Sequence, residues 1–156
     1  MSNSVHDHEL TLTRDFDVPA EKLFRAWTDP ALVPQWFAPK PWTITSCEID
    51  LRPGGVFNSV MRSPEGEEFP NEGVFLEIVP NRKIVTTDGL GPGFKPAGKP
   101  FMVAEMTFED LGGGRTRYTA TARHWSAEDK KAHEEMGFHQ GWGQVADQLA
   151  ELAATL

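Results

Sequence analysis

The chain has little of what stabilises secreted proteins or anchors membrane proteins. Cys47 is the only cysteine among 156 residues, which excludes an intrachain disulfide and fits a reducing compartment. Residues 1–9 lack the apolar segment of a signal peptide. No apolar stretch approaches the roughly 20 residues that a membrane span needs. We therefore expect a cytoplasmic protein without a membrane partner.

Positive charge is also scarce. Lys and Arg number 15 against 23 Asp and Glu, which gives a formal net charge of −8. Nucleic acids and anionic membranes are bound by clusters of Lys and Arg that displace counterions, and this chain has no basic run. The charge pattern therefore argues against both classes of partner.

The usual motifs of cofactor and catalytic sites are missing as well. The chain has no dinucleotide fingerprint, P-loop, nucleophile elbow or HExxH zinc motif. Residues 88–100 are rich in Gly and Pro, but no helix follows to complete a phosphate site, so we predict a long loop that covers a cavity mouth. His133 and His139 are six residues apart, which does not place two ligands on one helix face. We expect no cofactor and no metal.

The last thirty residues carry the most informative pattern. Large apolar side chains recur there in alternating steps of four and three, at Phe138, Trp142, Val145, Leu149, Leu152 and Leu156. This spacing puts them on one stripe of an α-helix and predicts one long helix over residues 126–156, capped by Ser126. Such a stripe needs a long apolar surface to lie on.

The preceding residues are rich in strands. Residues 10–18 alternate as a half-buried strand, and Pro19 and Asp29 then begin two short helices. Tight turns separate further strands at 43–51, 56–62, 72–79, 83–87, 101–111 and 116–124, and these short connections make neighbouring strands antiparallel. The pattern predicts an α+β protein in which one curved antiparallel sheet of about six to seven strands wraps a long C-terminal helix. We assign residues 9–156 to one domain and residues 1–8 to a disordered tail.

Six short motifs occur in the order of a known family. They are Val18-Pro19-Ala20-Glu21 with Trp27-Thr28-Asp29-Pro30, Trp36-Phe37-Ala38-Pro39, Asp50-Leu51-Arg52-Pro53-Gly54-Gly55, Gly73-Val74-Phe75-Leu76-Glu77-Ile78, Thr107-Phe108-Glu109-Asp110, and Gly141-Trp142. On these residues the chain resembles the activator-of-heat-shock-protein-90-ATPase-like branch of the START-like (SRPBCC) superfamily. The resemblance implies the helix-grip fold, with a sheet gripping the C-terminal helix around an apolar cavity. Relatives of this kind include co-chaperones, polyketide aromatase/cyclases, and lipid and hormone binders.

We predict that the cavity lies at the N-terminal half of the last helix. Gly137 and Gly141 leave room there, whereas the leucines fill the other end, and the loop 88–100 is available to cover a mouth. The predicted lining residues are Trp36, Phe37, Phe57, Met61, Met106, His124, Phe138 and Trp142. His124 ends the last strand in phase with apolar residues, so its imidazole is either an acid/base or ligand contact or a hydrogen-bonded structural group.

The favoured function is the binding of a small hydrophobic or aromatic molecule, because a mostly apolar pocket with a few polar groups is the usual small-molecule site. One alternative is an enzyme of the cyclase/aromatase or hydrolase type that uses His124 or a carboxylate. The other is a co-chaperone-like protein-interaction module that uses the acidic surface and a chaperone partner. We expect a monomer or a homodimer.

Overall fold

The computed structural model describes residues 8–98 and 100–156, and these residues form an α+β fold as predicted. The elements follow in the order β1 (Glu9–Phe16), α1 (Ala20–Thr28), β2 (Thr43–Ile49), β3 (Phe57–Arg62), β4 (Glu68–Asn71), β5 (Val74–Val79), β6 (Lys83–Thr87), β7 (Leu90–Gly91), β8 (Lys95–Pro96), β9 (Met102–Gly112), β10 (Arg115–His124), α2 (Ala127–Glu135) and α3 (Phe138–Ala153). The strands outnumber the prediction because β4, β7 and β8 were not foreseen. The second predicted short helix is only a 3-10 turn at Val33–Gln35, and it contains Pro34.

Two antiparallel sheets contain eight of the ten strands in the described residues. The larger has the strand order β1-β10-β9-β6-β5, and the smaller has the order β2-β3-β4. Backbone hydrogen bonds join them, from Gly54 N to Phe75 O at 2.8 Å and from Phe75 N to Gly55 O at 3.0 Å. A side chain at Gly55 would collide with the carbonyl oxygen of Asp50, so only glycine allows this close turn.

The core lies between the larger sheet and the helices. Leu10 and Leu12 of β1, Leu23 of α1 and Phe138 and Leu149 of α3 belong to one buried apolar cluster. Helix α3 packs against α1 and β1. The C-terminal stripe therefore faces the core: Phe138 and Leu149 are buried, and Trp142, Val145, Leu152 and Leu156 are partly buried against the same cluster.

The prediction of one continuous helix over residues 126–156 is wrong. Helix α2 ends at Glu135 and α3 begins at Phe138, with Gly137 between them at φ +93°. That left-handed backbone interrupts the helical hydrogen bonds and is strained for residues with a Cβ. The predicted cap is confirmed, because the Ser126 side chain accepts a hydrogen bond from Asp129 N at 3.1 Å.

A buried glutamine ties α3 to the segment before β2. Gln148 Nε2 donates to the carbonyl oxygens of Trp36 at 2.9 Å and Ala38 at 2.8 Å, and its Oε1 accepts from Lys40 N at 3.1 Å. The Gln144 side chain donates to Gln148 Oε1 at 3.3 Å. Gln148 thus forms hydrogen bonds with backbone groups that lie in an irregular segment and have no partner in a helix or strand. These bonds also fix the position of Trp36.

Charged side chains alternate in sign across the strands of the larger sheet. Glu77 of β5 pairs with Lys83 of β6 at 3.1 Å, and Arg123 of β10 pairs with both Glu105 of β9 and Glu9 of β1 at 2.9 Å. Glu77 and then Glu105 raise the pKa of Lys83, which links the two groups of ion pairs. We call this row the charge ladder.

Candidate functional site

The structure divides most of the predicted lining residues between two aromatic groups. Trp36, Phe37 and Phe57 gather around Trp27, whose ring centroid lies 4.9, 5.5 and 5.9 Å from theirs. We call these four residues the tryptophan group. Trp36 is 1% exposed, and its indole N–H donates to Ala26 O at 3.0 Å, so this ring is fixed deep in the fold.

The second group contains His124, Phe138 and Trp142, as predicted, together with two residues that were not predicted. The ring of His133 lies at its centre, 5.1 Å from the rings of His124, Phe138 and Phe101 and 5.6 Å from that of Trp142. The rings meet edge to face or tilted, as aromatic pairs prefer. We call these five residues the histidine site.

The two predicted methionines lie elsewhere. Met106 is 1% exposed on β9, between Ile84 of β6 and Ala120 of β10, and it belongs to the core cluster. Met61 lies on β3 between Ile44 and Phe69, outside that cluster. Met61 is therefore not part of the buried cluster that contains Met106.

Hydrogen bonds define the protonation of the two histidines. His124 Nδ1 lies 2.8 Å from the backbone oxygen of His8, and His124 Nε2 lies 2.8 Å from His133 Nδ1. A carbonyl only accepts, so His124 Nδ1 carries a hydrogen. In the neutral ring His124 Nε2 then accepts, and His133 Nδ1 must donate. The remaining nitrogen, His133 Nε2, is left without a hydrogen.

The surroundings keep His133 neutral at physiological pH. Burial, with a smaller contribution from neighbouring His124, lowers the pKa of His133 to about 4. Burial disfavours the charged imidazolium, and a second imidazole 2.8 Å away disfavours it further. The pair therefore contains a base whose lone pair is available across the physiological range.

The loop that precedes β9 positions Phe101 at the histidine site. Asp88 Oδ1 accepts hydrogen bonds from Phe101 N at 2.8 Å and Met102 N at 3.1 Å. Within the loop 88–100, strands β7 and β8 pair, and the ring of Phe94 lies over Gly54. Trp125, which directly follows His124, lies beside Gly89 of this loop and is 52% exposed.

Sequence reasoning missed His133 because it compared this residue only with His139. A signal was present. Ser126 caps a helix that starts directly after His124, so the helix must turn back over the end of β10. Along Ala127–Glu135, His133 is the only side chain larger than alanine that is neutral at pH 7, and it is the residue of α2 that is buried.

Two surface grooves lie away from the predicted lining. One is formed by Pro19 and Glu21 before and in α1 and by the turns after β5 and β9. The other lies along β2 and β3 and includes Cys47, whose thiol pKa is raised by burial. Neither contains a predicted lining residue. Within residues 8–98 and 100–156 no group of three or more His, Cys, Asp or Glu could hold a metal ion, and no helix there is long and apolar enough to cross a membrane.

Known proteins resemble most of the chain. A family model described as "Activator of Hsp90 ATPase homolog 1-like protein" matches residues 17–154. A solved structure from Nitrosomonas europaea is 44% identical, with 96% of each chain covered and a TM-score of 0.92. The AHSA1 protein of Silicibacter pomeroyi is 27% identical, with 95% of this chain and 99% of that chain covered and a TM-score of 0.72. A Mycobacterium smegmatis protein is 25% identical, with 95% and 91% covered and a TM-score of 0.78. No curated protein matches the sequence.

Proposed function

Because the chain belongs to the family of Activator of Hsp90 ATPase homolog 1-like proteins, with the helix-grip fold of that family, we propose that it binds one small hydrophobic or aromatic molecule at the histidine site. The observation that carries this proposal is the convergence of Phe101, Phe138 and Trp142 on the hydrogen-bonded pair of His124 and His133. Apolar rings around a few fixed polar groups are the usual composition of a small-molecule site.

Space and exposure favour this end of the fold. Phe101 and Trp142 are only partly buried, so their rings offer apolar area to a ligand. A Cβ added at Gly141, one residue before Trp142, would meet no atom within 4 Å. Because the helix is interrupted at Gly137, α2 and α3 also meet here instead of forming one continuous helix. These features place Trp142 at a helix junction where apolar ring area is exposed.

The deeper predicted residues form the inner wall in this proposal. Trp36, Phe37, Phe57 and Met106 belong to or pack against the same core cluster as Phe138, so a ligand at the histidine site would rest on that cluster. We leave Met61 out of the lining because it lies outside the cluster. The tryptophan group packs ring against ring, which makes it a rigid support rather than an entrance.

A fluorescence titration tests the binding. N-phenyl-1-naphthylamine, a neutral apolar probe, should bind with about 1:1 stoichiometry and quench Trp emission. Trp142→Ala should weaken its binding about tenfold or more, since a lost aromatic contact and buried area are worth at least about 1.4 kcal/mol.

Trp42→Ala is the matched control, because Trp42 lies against Phe69 on the smaller sheet, with ring centroids 5.7 Å apart. It should bind the probe like the unmodified protein. Circular dichroism of both variants checks that they are folded. Absence of probe binding to the unmodified protein, or equal losses in the two variants, would contradict the proposal.

An enzyme is the second candidate, and the histidine pair is the observation that favours it. A base oriented by a second hydrogen-bonded group has the geometry of general base catalysis, and the pKa of about 4 makes His133 a weak base in that role. Turnover of a bound aromatic compound that disappears in His133→Gln while binding persists would favour the enzyme. If no apolar probe binds and a chaperone is captured instead, the co-chaperone-like interaction module becomes the better account.

Location and assembly complete the proposal. We keep the cytoplasm as the location, on the ground of the single free Cys47. We also keep a monomer or a homodimer as the assembly. Light scattering coupled to size-exclusion chromatography distinguishes the two assemblies, and cell fractionation tests the location.

A further inference from the structure

The two histidines form a hydrogen-bonded row with one direction. It runs from the backbone oxygen of His8 through His124 to His133, with 2.8 Å at each step. If the neutral His133 carried its hydrogen on Nε2 instead of Nδ1, the lone pairs of His124 Nε2 and His133 Nδ1 would point at each other. The row therefore locks both rings as the Nδ1–H tautomer, and His133 Nε2 can only accept.

This acceptor ends the row at the protein surface. Among residues 8–98 and 100–156, His133 Nε2 has no hydrogen-bond partner. In the same residues no fully buried side-chain nitrogen or oxygen lacks a partner. Within this described part of the chain, His133 Nε2 is thus left to solvent, although the residue as a whole is only 8% exposed. The rings of Phe101, Phe138 and Trp142 surround the imidazole, so the rim around the acceptor is apolar.

A ligand that covers this rim takes His133 Nε2 out of water. An aromatic ligand without a donor leaves the lone pair buried and unpaired, which is costly, whereas an O–H or N–H on the ligand replaces the lost water. A carboxylate or carbonyl oxygen at the same point would oppose the lone pair. A site of this kind discriminates strongly between ligands that differ only in the donor.

We propose that His133 Nε2 selects, among aromatic molecules, those that carry an O–H or N–H donor on the ring, with phenols as the simplest class. His124 and the His8 carbonyl act as positioning groups that fix the tautomer and the direction of the acceptor. This inference rests on the proposed function, since it names the ligand class of the same site.

Two ligands of nearly equal shape test the selection. 2-Naphthol carries the donor, and 2-methoxynaphthalene replaces the hydroxyl hydrogen by a methyl group. Isothermal titration calorimetry should give at least a tenfold tighter dissociation constant for 2-naphthol with the unmodified protein. In His133→Phe the preference should fall to less than about twofold, while 2-methoxynaphthalene still binds.

His139→Phe is the matched control. This histidine is exposed on α3 and contacts Phe138 at 5.1 Å between ring centroids, but it is outside the hydrogen-bonded row. The variant should keep the preference. Equal affinity of the two ligands for the unmodified protein would overturn the selection and leave aromatic binding intact, whereas no binding of either ligand overturns both proposals.

A measurement without substitution guards against a variant that fails to fold. The nitrogen chemical shifts of 15N-labelled protein at pH 7 should show Nδ1 protonated and Nε2 bare in both histidines. With 2-naphthol the His133 Nε2 resonance should move upfield, because the hydroxyl donates to this nitrogen, whereas 2-methoxynaphthalene should move it downfield, because this ligand displaces water without replacing its hydrogen bond. A hydrogen on His133 Nε2 in the free protein, or identical shifts with the two ligands, would refute the inference.

Discussion

Replacement of Gln148 by alanine is the most direct test of how α3 is attached to the rest of the fold. In the structure this one side chain satisfies the carbonyl oxygens of Trp36 and Ala38 and the N–H of Lys40, and it is 9% exposed. In Gln148→Ala these backbone groups lose their partner in a place that water reaches poorly. The segment that holds Trp36 should loosen from the helix.

The expected loss follows from the bonds involved. Each buried backbone group left unpaired costs about 1–3 kcal/mol, and partial access of water to the segment reduces the total. We expect the free energy of unfolding to fall by roughly 3–6 kcal/mol, which is a large part of the stability of a domain of this size. Urea denaturation followed by circular dichroism and by Trp fluorescence measures it.

Gln144→Ala provides the matched control on the same helix. Gln144 is exposed and donates to Lys40 O at 3.1 Å, so its loss leaves an oxygen that water can reach. The two substitutions share the same change in helix propensity, and we expect Gln144→Ala to cost less than about 1 kcal/mol. If the two variants differ by less than about 1 kcal/mol, the attachment through Gln148 is not what stabilises this part of the fold.

Other predictions follow from the packing and the charges. Leu149→Ala should cost about 2–5 kcal/mol in urea denaturation, because Leu149 is 0% exposed; a loss below about 1 kcal/mol would mean that the stripe is not the buried face. Gly137→Ala should lower the free energy of unfolding by about 1–2 kcal/mol, because Gly137 has φ +93°. Gly141→Ala should raise it by about 0.5–1 kcal/mol, because Gly141 lies in open space within α3. A change of the same sign in both variants would argue against the helix break. The folded pKa of His133, about 4, lies below its unfolded value near 6.5, so only the unfolded chain gains this proton as the pH falls between them. The free energy of unfolding should therefore drop by up to about 3 kcal/mol between pH 6.5 and pH 4, and a drop of equal size in His133→Phe would refute the assignment.

The periodicity of apolar residues was enough to predict the fold class. The stripe from Phe138 to Leu156 packs on the core as expected, and Ser126 caps a helix where predicted. The sequence did not predict the interruption at Gly137, since a glycine in a helical pattern is compatible both with a close packing contact and with left-handed backbone. Strand β4 was not predicted, because residues 67–71 contain Pro70 and show no alternation of apolar residues, although the strand pairs with β3 along its length.

The candidate site was predicted less completely than the fold, because its residues come together from separate parts of the chain. His124 and Phe138 were identified from their positions in a strand and a stripe, but the partner of His124 depends on how α2 turns back after β10. Trp36 and Trp142 were predicted to line one cavity at the N-terminal half of the last helix. Tertiary contacts place them in different ring groups: Trp36 is bonded to Ala26 O, whereas Trp142 packs on Phe138 at 4.5 Å.

The charge ladder has a consequence for how related sequences diverge. Its signs alternate from Glu77 through Lys83, Glu105 and Arg123 to Glu9, so reversal of one inner charge places like charges on adjacent strands. If two neighbouring charges reverse together, they still attract each other, and like charges then meet only where this pair borders the unchanged residues of the ladder. Among related sequences, substitutions at these positions should therefore occur together. The covarying positions should lie up to 114 residues apart in the chain, although their strands are neighbours in the sheet.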